Sequence, residues 1–460
     1  RFERAVSKGA YKMKVIDARK LNAKEINDLM HKKAFDEAVL SPRVQEGVTQ
    51  MFGAPLTAAQ VVDKIVADVR KEGDAKLFYY TNLLDHSGVN KKNIKVSKAE
   101  FAQAQKLVKK DTMEAIKRAI ANVRKFHEEQ MPKTWLTQRA YGAMLGQKMT
   151  AVDSVGIYVP GGTASYPSSV IMNAVPAKVA GVERIVMAAP AGKNGKINPY
   201  VLATAQLIGI TEIYKMGGAQ AIAALAFGTA TVPKVAKITG PGNIFVTLAK
   251  KAVYGHVDID MLAGPSEILI VADKTANYKY LAADLLSQAE HDPLACAILI
   301  TDNQTLARKV GKEVEVQLAA LPRKEIAAQS LAKQGKIIVA KDMATVIEMA
   351  NLSAPEHMEI NTAEPFAILP EIRNAGAIFL GAYSPEPLGD YYAGPNHILP
   401  TGGTARFYSV LNVETFMKKT SIIAYTKEAL AKASDDIIAM ASAEGLDAHA
   451  NAIKVRKDAK

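Results

Sequence analysis

Residues 155–190, VGIYVPGGTASYPSSVIMNAVPAKVAGVERIVMAAP, contain one complete strand–helix–strand unit. VGIYVP and RIVMAAP are short apolar runs, which are typical of buried strands. The run between them, VIMNAVPAKVAGV, is long enough for a helix and follows a loop rich in glycine and serine. Two strands and a helix joined by short loops predict a parallel sheet that carries helices on its faces.

The same alternation continues along the chain as far as NIFVTLAKKAVYG. A second, looser alternation follows, in which CAILIT, KIIVA, HMEI and GAIFLG have the pattern of strands separated by helices. The residues before 150 show amphipathic helical patterns instead. We therefore predict an α/β protein with two Rossmann-like parallel-sheet domains, a helical N-terminal region and a small C-terminal helical arm.

Length and composition limit the class of protein. A chain of 460 residues exceeds one ordinary core, so two or more domains are expected. No apolar stretch is long enough to span a bilayer, because Lys, Asp or Gly interrupts each one, and no membrane partner is expected. The single cysteine, Cys296, excludes an intrachain disulfide and favours a reducing, cytoplasmic location. Its surroundings, LACAILIT, predict an inert thiol in a buried strand.

The charge distribution argues against a nucleic acid partner. The net charge is +12, but the basic excess lies in residues 1–150, spread over amphipathic helices. Solvated helix faces explain such charge, since no basic and aromatic groove motif accompanies it. The chain begins with Arg1, whereas MKVIDAR from Met13 has the form of a natural start. Residues 1–12 are therefore expected to be an extension that takes no part in the fold.

Glycines collect where strands of the first unit end, at 161–162, at 217–218 and in GPGN at 240–243. In an open parallel sheet, ligands bind outside the carboxyl ends of the strands. Glycine there lets backbone amides approach a phosphate, and helix N-termini favour negative charge. TGPGNIF lacks the third small residue of the dinucleotide fingerprint, and glycines also form tight turns. Nucleotide binding and purely structural turns both remain open for this edge.

Four of the eight histidines stand beside carboxylate or amide side chains, in SQAEH, APEHMEI, GDYYAGPNHILP and EGLDAH. In SQAEH, Gln288 and His291 lie three residues apart, so they point the same way on a helix. Imidazole, carboxylate and amide oxygen together suit a borderline metal such as zinc. Glu356 and His357 open a predicted strand, where an acid–base pair could face a cleft. Taken alone, the same residues could also be capped loop residues or a surface turn.

Taken in order, the segments resemble the histidinol dehydrogenase family. The resemblance rests on the 155–182 segment, KMGGAQAIAALAFGT, GPGNIFVTLAKKAVYGHVDIDMLAGPSEILIVAD, DLLSQAEHDP, APEHMEI, SPEPLGDYYAGPNHILPTGGTARF and EGLDAHANAIKVR. It runs from Trp135 to Arg456 and is looser before that. Residues 13–55 and the segment FYSVLNVETFMKKT depart from the family pattern. The departures affect the N-terminal segment and the packing near the substrate or a partner chain.

The resemblance implies an activity and a set of site residues. The family oxidises L-histidinol to L-histidine, the last steps of histidine biosynthesis, in two NAD-dependent steps through an aldehyde, with one zinc ion per chain. The implied zinc ligands are Gln288, His291, Asp390 and His449. The implied catalytic pair is His357, which takes the hydroxyl proton, and Glu356, which activates the water that adds to the aldehyde. The implied substrate contacts are Ser266, Gln288, His291, His357, Asp390, His397, Glu444 and His449. The implied NAD contacts are Tyr158, Gln220 and Asn243.

The resemblance also implies a domain-swapped homodimer, in which Glu444 and His449 complete the site of the other chain. The expected division has an N-terminal segment or dimer arm at 1–55 and a first α/β domain at 56–157 plus 267–411, which carries the metal and catalytic residues. An NAD-binding α/β domain is expected at 158–266, and a C-terminal arm at 412–460.

Two alternatives remain at this stage. A related zinc- and NAD-dependent dehydrogenase of another small polyol, such as a sulfonated propanediol, would keep the metal and the catalytic pair. Glu444, five residues before His449, favours a substrate with amino and imidazole groups. A non-catalytic nucleotide-binding protein would keep only the sheet, which the full set of candidate ligands and catalytic residues argues against.

Overall fold

The computed structural model describes residues 13–32, 40–161 and 166–457. The expected extension at 1–12 and Gly162 of the first glycine turn lie outside these residues. The strands are β1 (Lys14–Asp17), β2 (Trp135–Gln138), β3 (Met144–Ala151), β4 (Ser154–Tyr158), β5 (Arg184–Ala189), β6 (Glu212–Lys215), β7 (Lys237–Thr239), β8 (Asp258–Ile259), β9 (Glu267–Ala272), β10 (Cys296–Thr301), β11 (Lys336–Val339), β12 (His357–Asn361), β13 (Ala377–Leu380) and β14 (Met417–Ala424).

The helices surround these strands in chain order. They are α1 (Ala23–Met30), α2 (Pro42–Phe52), α3 (Ala58–Glu72), α4 (Asp74–Asp85), α5 (Lys98–Leu107), α6 (Lys110–Glu128), α7 (Pro167–Val179), α8 (Pro199–Ile208), α9 (Gly218–Phe227), α10 (Ile244–Val253), α11 (Tyr278–Ala289), α12 (Gln304–Ala320), α13 (Lys324–Lys333), α14 (Met343–Ser353), α15 (Pro365–Ile368), α16 (Glu386–Tyr391), α17 (Lys427–Ala443) and α18 (Asp447–Lys457). No described helix is long and apolar enough to cross a membrane.

The first parallel sheet has five strands in the order β6-β5-β4-β7-β8. A hydrophobic core lies on each face. One core contains apolar residues of α3, α4, α9 and α10, and the other contains residues of α6, α7 and α8. This is the parallel unit that the opening stretch predicts.

The second parallel sheet has six strands in the order β1-β11-β10-β9-β12-β13. Helices α11, α12 and α13 cover one face, and α1 and α14 cover the other. β9 and β12 lie side by side within this sheet, with His357 paired to Ile268. The prediction of two parallel-sheet units is therefore confirmed.

A third, antiparallel sheet of three strands has the order β14-β3-β2, and the sequence analysis did not predict it. β3 runs antiparallel to β2, which precedes it closely in the chain, and to β14, which lies far away in sequence. α17 and α18 follow β14 and pack on each other. The C-terminal arm at 412–460 thus contains a strand as well as helices.

The observed packing differs from two expected boundaries. Helices α3 to α6, within 56–157, pack against α7 to α10 and the five-stranded sheet, not the six-stranded one. The segment expected as a helical arm at 1–55 also supplies β1, an edge strand of the six-stranded sheet. An amphipathic pattern shows that a helix has a buried face, but does not identify the sheet that the face will cover.

Candidate active site

Glu356 and His357 lie at the start of β12, where the chain enters the six-stranded sheet. Helix α14 ends at Ser353, the next residue, Ala354, has a φ of 43°, and Pro355 follows, so the chain turns directly into the strand. Both side chains are buried, with relative exposures of 5% for Glu356 and 3% for His357. The Glu356 Oε2 atom lies 3.6 Å from His357 Nδ1. Burial raises the pKa of Glu356 to about 8, because water no longer stabilises its charged form.

The backbone of Glu267, the first residue of β9, contacts both of these side chains. Its N–H donates to Glu356 Oε2 at 2.8 Å. Its carbonyl oxygen lies 3.1 Å from His357 Nδ1. Because a carbonyl can only accept, this contact is a hydrogen bond when Nδ1 carries the proton. In the neutral ring, Nε2 is then the free acceptor, and this atom has no hydrogen-bond partner.

Asp390, in α16, lies beside two histidines. Its Oδ1 atom is 3.8 Å from His357 Nε2 and 3.7 Å from His397 Nδ1. Burial lowers the pKa of His397, while the neighbouring Asp390 charge opposes that shift. Asp390 and His397 belong to one predicted segment, GDYYAGPNHILP, and His357 belongs to another, APEHMEI; the structure brings the two segments together.

Gln288 lies in the last turn of α11, whereas His291, which the spacing placed on the same helix, lies two residues beyond the end of that helix. Gln288 has a relative exposure of 0%, and its amide oxygen and nitrogen both lack a hydrogen-bond partner. The His291 side chain is 34% exposed, and burial lowers its pKa. Gln288 is therefore buried, whereas the side chain of His291 faces solvent in part.

Glu386, the first residue of α16, was missed by the sequence analysis. Among the described residues, the ligand atoms of His291, Glu386 and Asp390 lie within 4.8 Å of one another, which could hold a metal ion. Glu386 Oε1 is 3.9 Å from His291 Nε2 and has no hydrogen-bond partner, while Oε2 accepts from Ser287 Oγ at 2.9 Å. An acidic residue in the first turn of a helix ordinarily complements the helix dipole, so its sequence position gave no signal for a site.

Two more carboxyl groups lie next to Glu386. Glu359 Oε1 accepts from the Glu386 N–H at 2.9 Å, and the Asp284 carboxyl group lies next to Glu359. Burial raises the pKa of Glu386 to about 8, that of Asp284 to about 6 and that of Glu359 well above its ordinary value. The neighbouring carboxyl charges add to the raised pKa values of Glu359 and Glu386, because each charge disfavours ionisation of the others.

Among the described residues, no hydrogen bond or ion pair joins the side chains of three predicted substrate contacts, Ser266, Glu444 and His449, to this cluster. Ser266 is half-buried and directly precedes β9. Glu444 and His449 are exposed, at the end of α17 and in α18. His449 does not belong to the His291, Glu386 and Asp390 group. The structure of one chain therefore does not bring the fourth predicted zinc ligand to the other three.

The predicted cofactor contacts lie at the carboxyl ends of strands in the five-stranded sheet. Tyr158 ends β4, and its hydroxyl accepts from the Gly218 N–H at 3.1 Å, at the start of α9. Burial raises the pKa of Tyr158 to about 12. Gln220 has a relative exposure of 0%, and neither amide atom has a partner. Asn243 is exposed and caps α10, since its Oδ1 atom accepts from the Phe245 and Val246 N–H groups.

A cavity of about 600 Å³ lies at this same edge. It is lined by residues that follow β4 and β5, including Pro160, Gly161 and Pro190, and by residues of α5. Ligands of open parallel sheets bind in this position. Tyr158, Gln220 and Asn243 are not among the residues that line this cavity, which lies beside α5 and α8.

Comparison with known proteins gives a consistent result. A family model described as histidinol dehydrogenase matches residues 54–457. The histidinol dehydrogenase of Heliobacterium mobile is 55% identical over 432 residues, covering 94% of this chain and 97% of its own length. That of Bacillus subtilis (strain 168) is 54% identical over 398 residues, covering 86% and 93%. The crystal structure of histidinol dehydrogenase from Elizabethkingia anophelis has a TM-score of 0.88 and 37% identity, covering 97% of this chain and 98% of that chain.

The α/β fold and these likenesses define an enzyme of the dehydrogenase class, an oxidoreductase. The chain belongs to the histidinol dehydrogenase family. The resemblance seen in the sequence motifs is confirmed, and so is the prediction of an enzyme. The relatives bear the name histidinol dehydrogenase, which does not favour the alternative of a sulfonated propanediol as substrate.

Proposed function

We propose that this protein oxidises L-histidinol to L-histidine in two successive NAD-dependent steps through L-histidinaldehyde, as the last steps of histidine biosynthesis. The observation that carries the proposal is the position of Glu356 and His357 next to Asp390 and His397, in a chain of this family. Two oxidations at one carbon need a base for the hydroxyl proton and a base that activates water. The pair offers one candidate for each role.

His357 is the proposed acceptor of the hydroxyl proton. Its Nδ1–H group is directed at the Glu267 carbonyl, which leaves Nε2 without a partner and able to take a proton. Removal of that proton makes the carbon a better hydride donor. NAD, when bound, supplies the acceptor for the hydride.

Glu356 is the proposed base for the second half-reaction. An aldehyde has no hydroxyl hydrogen to lose, so water must add before a second hydride can leave. One carboxylate oxygen of Glu356 is held by the Glu267 N–H, which leaves the other available to a water molecule. Because burial raises its pKa to about 8, its capacity as a base increases as pH rises through that value.

The residues at the end of α11 and in α16 fit a zinc ion. The buried amide of Gln288 and one oxygen of Glu386 have no partner, which is costly unless a ligand satisfies them. Amide oxygen, imidazole and carboxylate are donors that zinc accepts. Gln288, His291 and Asp390 would hold the ion, with His449 of the partner subunit as the fourth protein ligand. Zinc, when bound, orients the substrate and offsets negative charge.

The proposed NAD site is the carboxyl edge of the five-stranded sheet. The unpartnered amide of Gln220 supports it, and a cavity lies beside the same edge of the sheet. Tyr158 and Asn243 lie at the same edge, and the N-termini of α9 and α10 favour a phosphate. These chain residues would bind and orient the cofactor.

A homodimer with exchanged C-terminal segments is the proposed assembly. Large apolar side chains are exposed on the antiparallel sheet and the C-terminal helices, including Trp135, Leu136, Ile423, Met440 and Val455. Exposed apolar residues on adjoining elements mark an interaction surface. Exchange would bring the exposed Glu444 and His449 to the site of the partner, which agrees with their separation from the cluster of their own chain.

The test measures NADH formed per L-histidinol consumed, with a panel of small alcohols that includes a sulfonated propanediol. We expect two NADH per histidinol and little turnover of the other alcohols. His357→Asn, prepared in the same way, is the control for a contaminating dehydrogenase. One NADH per alcohol with a preference for the sulfonated substrate would support the polyol alternative. No NADH with any alcohol would support a non-catalytic nucleotide-binding protein.

A further inference from the structure

The N-terminal segment, residues 13–32, places a lysine in the same buried region as the catalytic pair. This segment contributes β1 and α1 to the six-stranded sheet. At its end, the Lys32 side chain is 17% exposed, and Nζ lies 2.7 Å from Oε2 of Glu267, whose side chain is 7% exposed. Two charges this deeply buried require each other, because neither retains its full hydration.

Glu267 is fixed at three further atoms. Its other carboxylate oxygen, Oε1, accepts from the Gly402 N–H at 2.9 Å. Its own N–H and carbonyl contact Glu356 and His357 at 2.8 and 3.1 Å. One residue thus connects Lys32, the loop at Gly402 and both members of the pair.

The loop at 401–402 also braces the chain just before β9. Thr401 Oγ1 accepts from the Gly264 N–H at 2.5 Å. Residues on both sides of Ser266 are therefore tied to this loop, and Ser266 is a proposed substrate contact. The ion pair and the loop together determine where the start of β9 lies against the start of β12.

We infer that Lys32 and Glu267 are positioning residues, which hold the side chains of Glu356 and His357 in their working orientation. The inference rests on the proposed function for the roles of those two side chains. Without the Lys32 ammonium, the Glu267 carboxylate is a buried, uncompensated charge. The start of β9 then shifts to admit water, and the two hydrogen bonds to the pair loosen.

Kinetics of four variants test the inference. We expect Lys32→Met to lower kcat for histidinol at least tenfold, with a smaller change in KM, because the pair acts in the chemical step. Lys32→Arg keeps a cation and should restore most of kcat. The double variant Lys32→Met/Glu267→Gln removes both charges and should exceed Lys32→Met in kcat. Lys24→Met changes an exposed lysine of α1 in the same segment and should match the wild type.

A spectroscopic measurement separates positioning from general loss of structure. In protein labelled with ¹⁵N at histidine, the His357 signal is assigned by its absence in His357→Asn. We expect this signal to report a protonated Nδ1 in the wild type and in Lys32→Arg. In Lys32→Met it should move toward the mixture of tautomers found in water, at a temperature where circular dichroism shows the variant folded.

The outcomes distinguish this inference from the proposed function. Wild-type kcat in Lys32→Met, an equal loss in Lys24→Met, or an unchanged His357 signal would each overturn the positioning role. A wild-type protein that does not oxidise histidinol would overturn the proposed function instead. The His357 signal would still test the link from Lys32 to the pair in that case, because it does not depend on turnover.

Discussion

Gln288 is fully buried, and both of its amide atoms lack a hydrogen-bond partner in the described chain. Other buried atoms without a hydrogen-bond partner are both amide atoms of Gln220, Nε2 of His357 and one carboxylate oxygen of Glu386. A buried polar atom without a partner costs about 1–3 kcal/mol. At the scale of single residues, the candidate site contains polar atoms that the fold buries but does not satisfy, as several other positions of the described chain also do.

The first prediction concerns metal. We expect the purified protein to contain about one zinc per chain, and His291→Ala to weaken zinc binding by more than the roughly 10–100-fold typical of outer-shell changes. His256→Ala alters an exposed histidine far from the cluster and should bind zinc normally. Elemental analysis after dialysis against a weak chelator measures both. Full-rate histidinol oxidation by metal-free protein would contradict the prediction.

The second prediction separates the two half-reactions. Glu356→Gln keeps the shape of the side chain but removes the base. We expect oxidation of supplied histidinaldehyde to fall by about 10²–10⁴, and oxidation of the alcohol to fall less. Glu348→Gln, an exposed change on the preceding helix α14, is the matched control. Equal losses in both steps would rule out Glu356 as the group that activates water.

The third prediction uses Asp85, at the end of α4. One of its carboxylate oxygens is buried without a partner, and burial raises its pKa from 3.8 to about 6. The folded state therefore favours the protonated form, and stability is lost as pH rises from about 4 through 6. We expect Asp85→Asn to raise the free energy of unfolding at pH 8 by about 1–2 kcal/mol, allowing for partial solvent screening.

The same variant should differ little from the wild type at pH 4, where Asp85 is already largely protonated. Urea unfolding at the two pH values gives the comparison. Asp63→Asn removes an exposed carboxylate of α3 and should show no such pH-dependent gain. A gain of equal size at both pH values would mean that burial of the charge is not the cause.

At the scale of elements, the backbone just after β7 lies very close to the end of β4, at the edge of the sheet proposed to bind the cofactor. Gly240 has a φ of 119°, and a Cβ there would lie 2.1 Å from the carbonyl oxygen of Tyr158. Its N–H donates to Asp260 Oδ2 at 2.8 Å, and its carbonyl accepts from Lys250 Nζ at 3.1 Å. A side chain at this position must displace the end of β4.

The fourth prediction follows from this close approach. We expect Gly240→Ala to destabilise the protein by about 2–4 kcal/mol, from backbone strain and overpacking together. Gly47→Ala, in α2, has open space and a helical environment, and should stabilise by about 0.5–1 kcal/mol. Urea unfolding of the two variants should thus show opposite signs. If Gly240→Ala leaves the free energy of unfolding unchanged, the end of β4 moves aside at little energetic cost.

The comparison of sequence and structure is also clearest at this scale. CAILIT forms β10 with the predicted limits, because a short apolar run between turn signals is typical of a buried strand in an α/β protein. β14 could not be predicted in the same way, since its pairing with β3 joins residues more than 250 positions apart. Glu386 could not be predicted because nothing local distinguishes it from an ordinary acidic residue at a helix start.

At the scale of the whole molecule, each parallel sheet has its own pair of cores, and the candidate site draws on segments from the whole length of the second unit. His357 begins β12, the fourth strand of this sheet in chain order after β1, and Glu356 directly precedes it, whereas Asp390 lies in a helix beyond the last strand. Glu444 and His449 lie on helices that pack mainly on each other. A single chain therefore leaves part of the proposed site incomplete.

The fifth prediction tests the exchange of arms. His291→Ala and His449→Ala homodimers should each be inactive and should regain activity when unfolded together and refolded. Random mixing makes about half of the dimers mixed, and one of the two sites in each is intact, so recovery should approach about a quarter of the wild-type rate. Histidinol-dependent NADH formation measures the recovery.

The matched control refolds His291→Ala with Asp390→Ala. Both changes affect ligands from the same chain, so every site of the mixed dimer carries a lesion and no activity should return. No recovery in the first mixture, with mixed dimers shown by mass, would refute the exchanged arm. It would leave the assignment of His291 to zinc unaffected.

Because Cys296 is the single cysteine of the chain, the protein is easy to label with a probe at a chosen second position. Burial, together with the nearby Glu267 charge, raises the pKa of Cys296 to about 12. Its thiolate, the form that reacts with maleimides, is therefore scarcer at neutral pH than that of an ordinary cysteine. A second cysteine introduced on the exposed face of α18 would react with a maleimide dye or spin label, and Cys296 would react little. Distances between labelled arms could then be followed in the native enzyme without first removing Cys296.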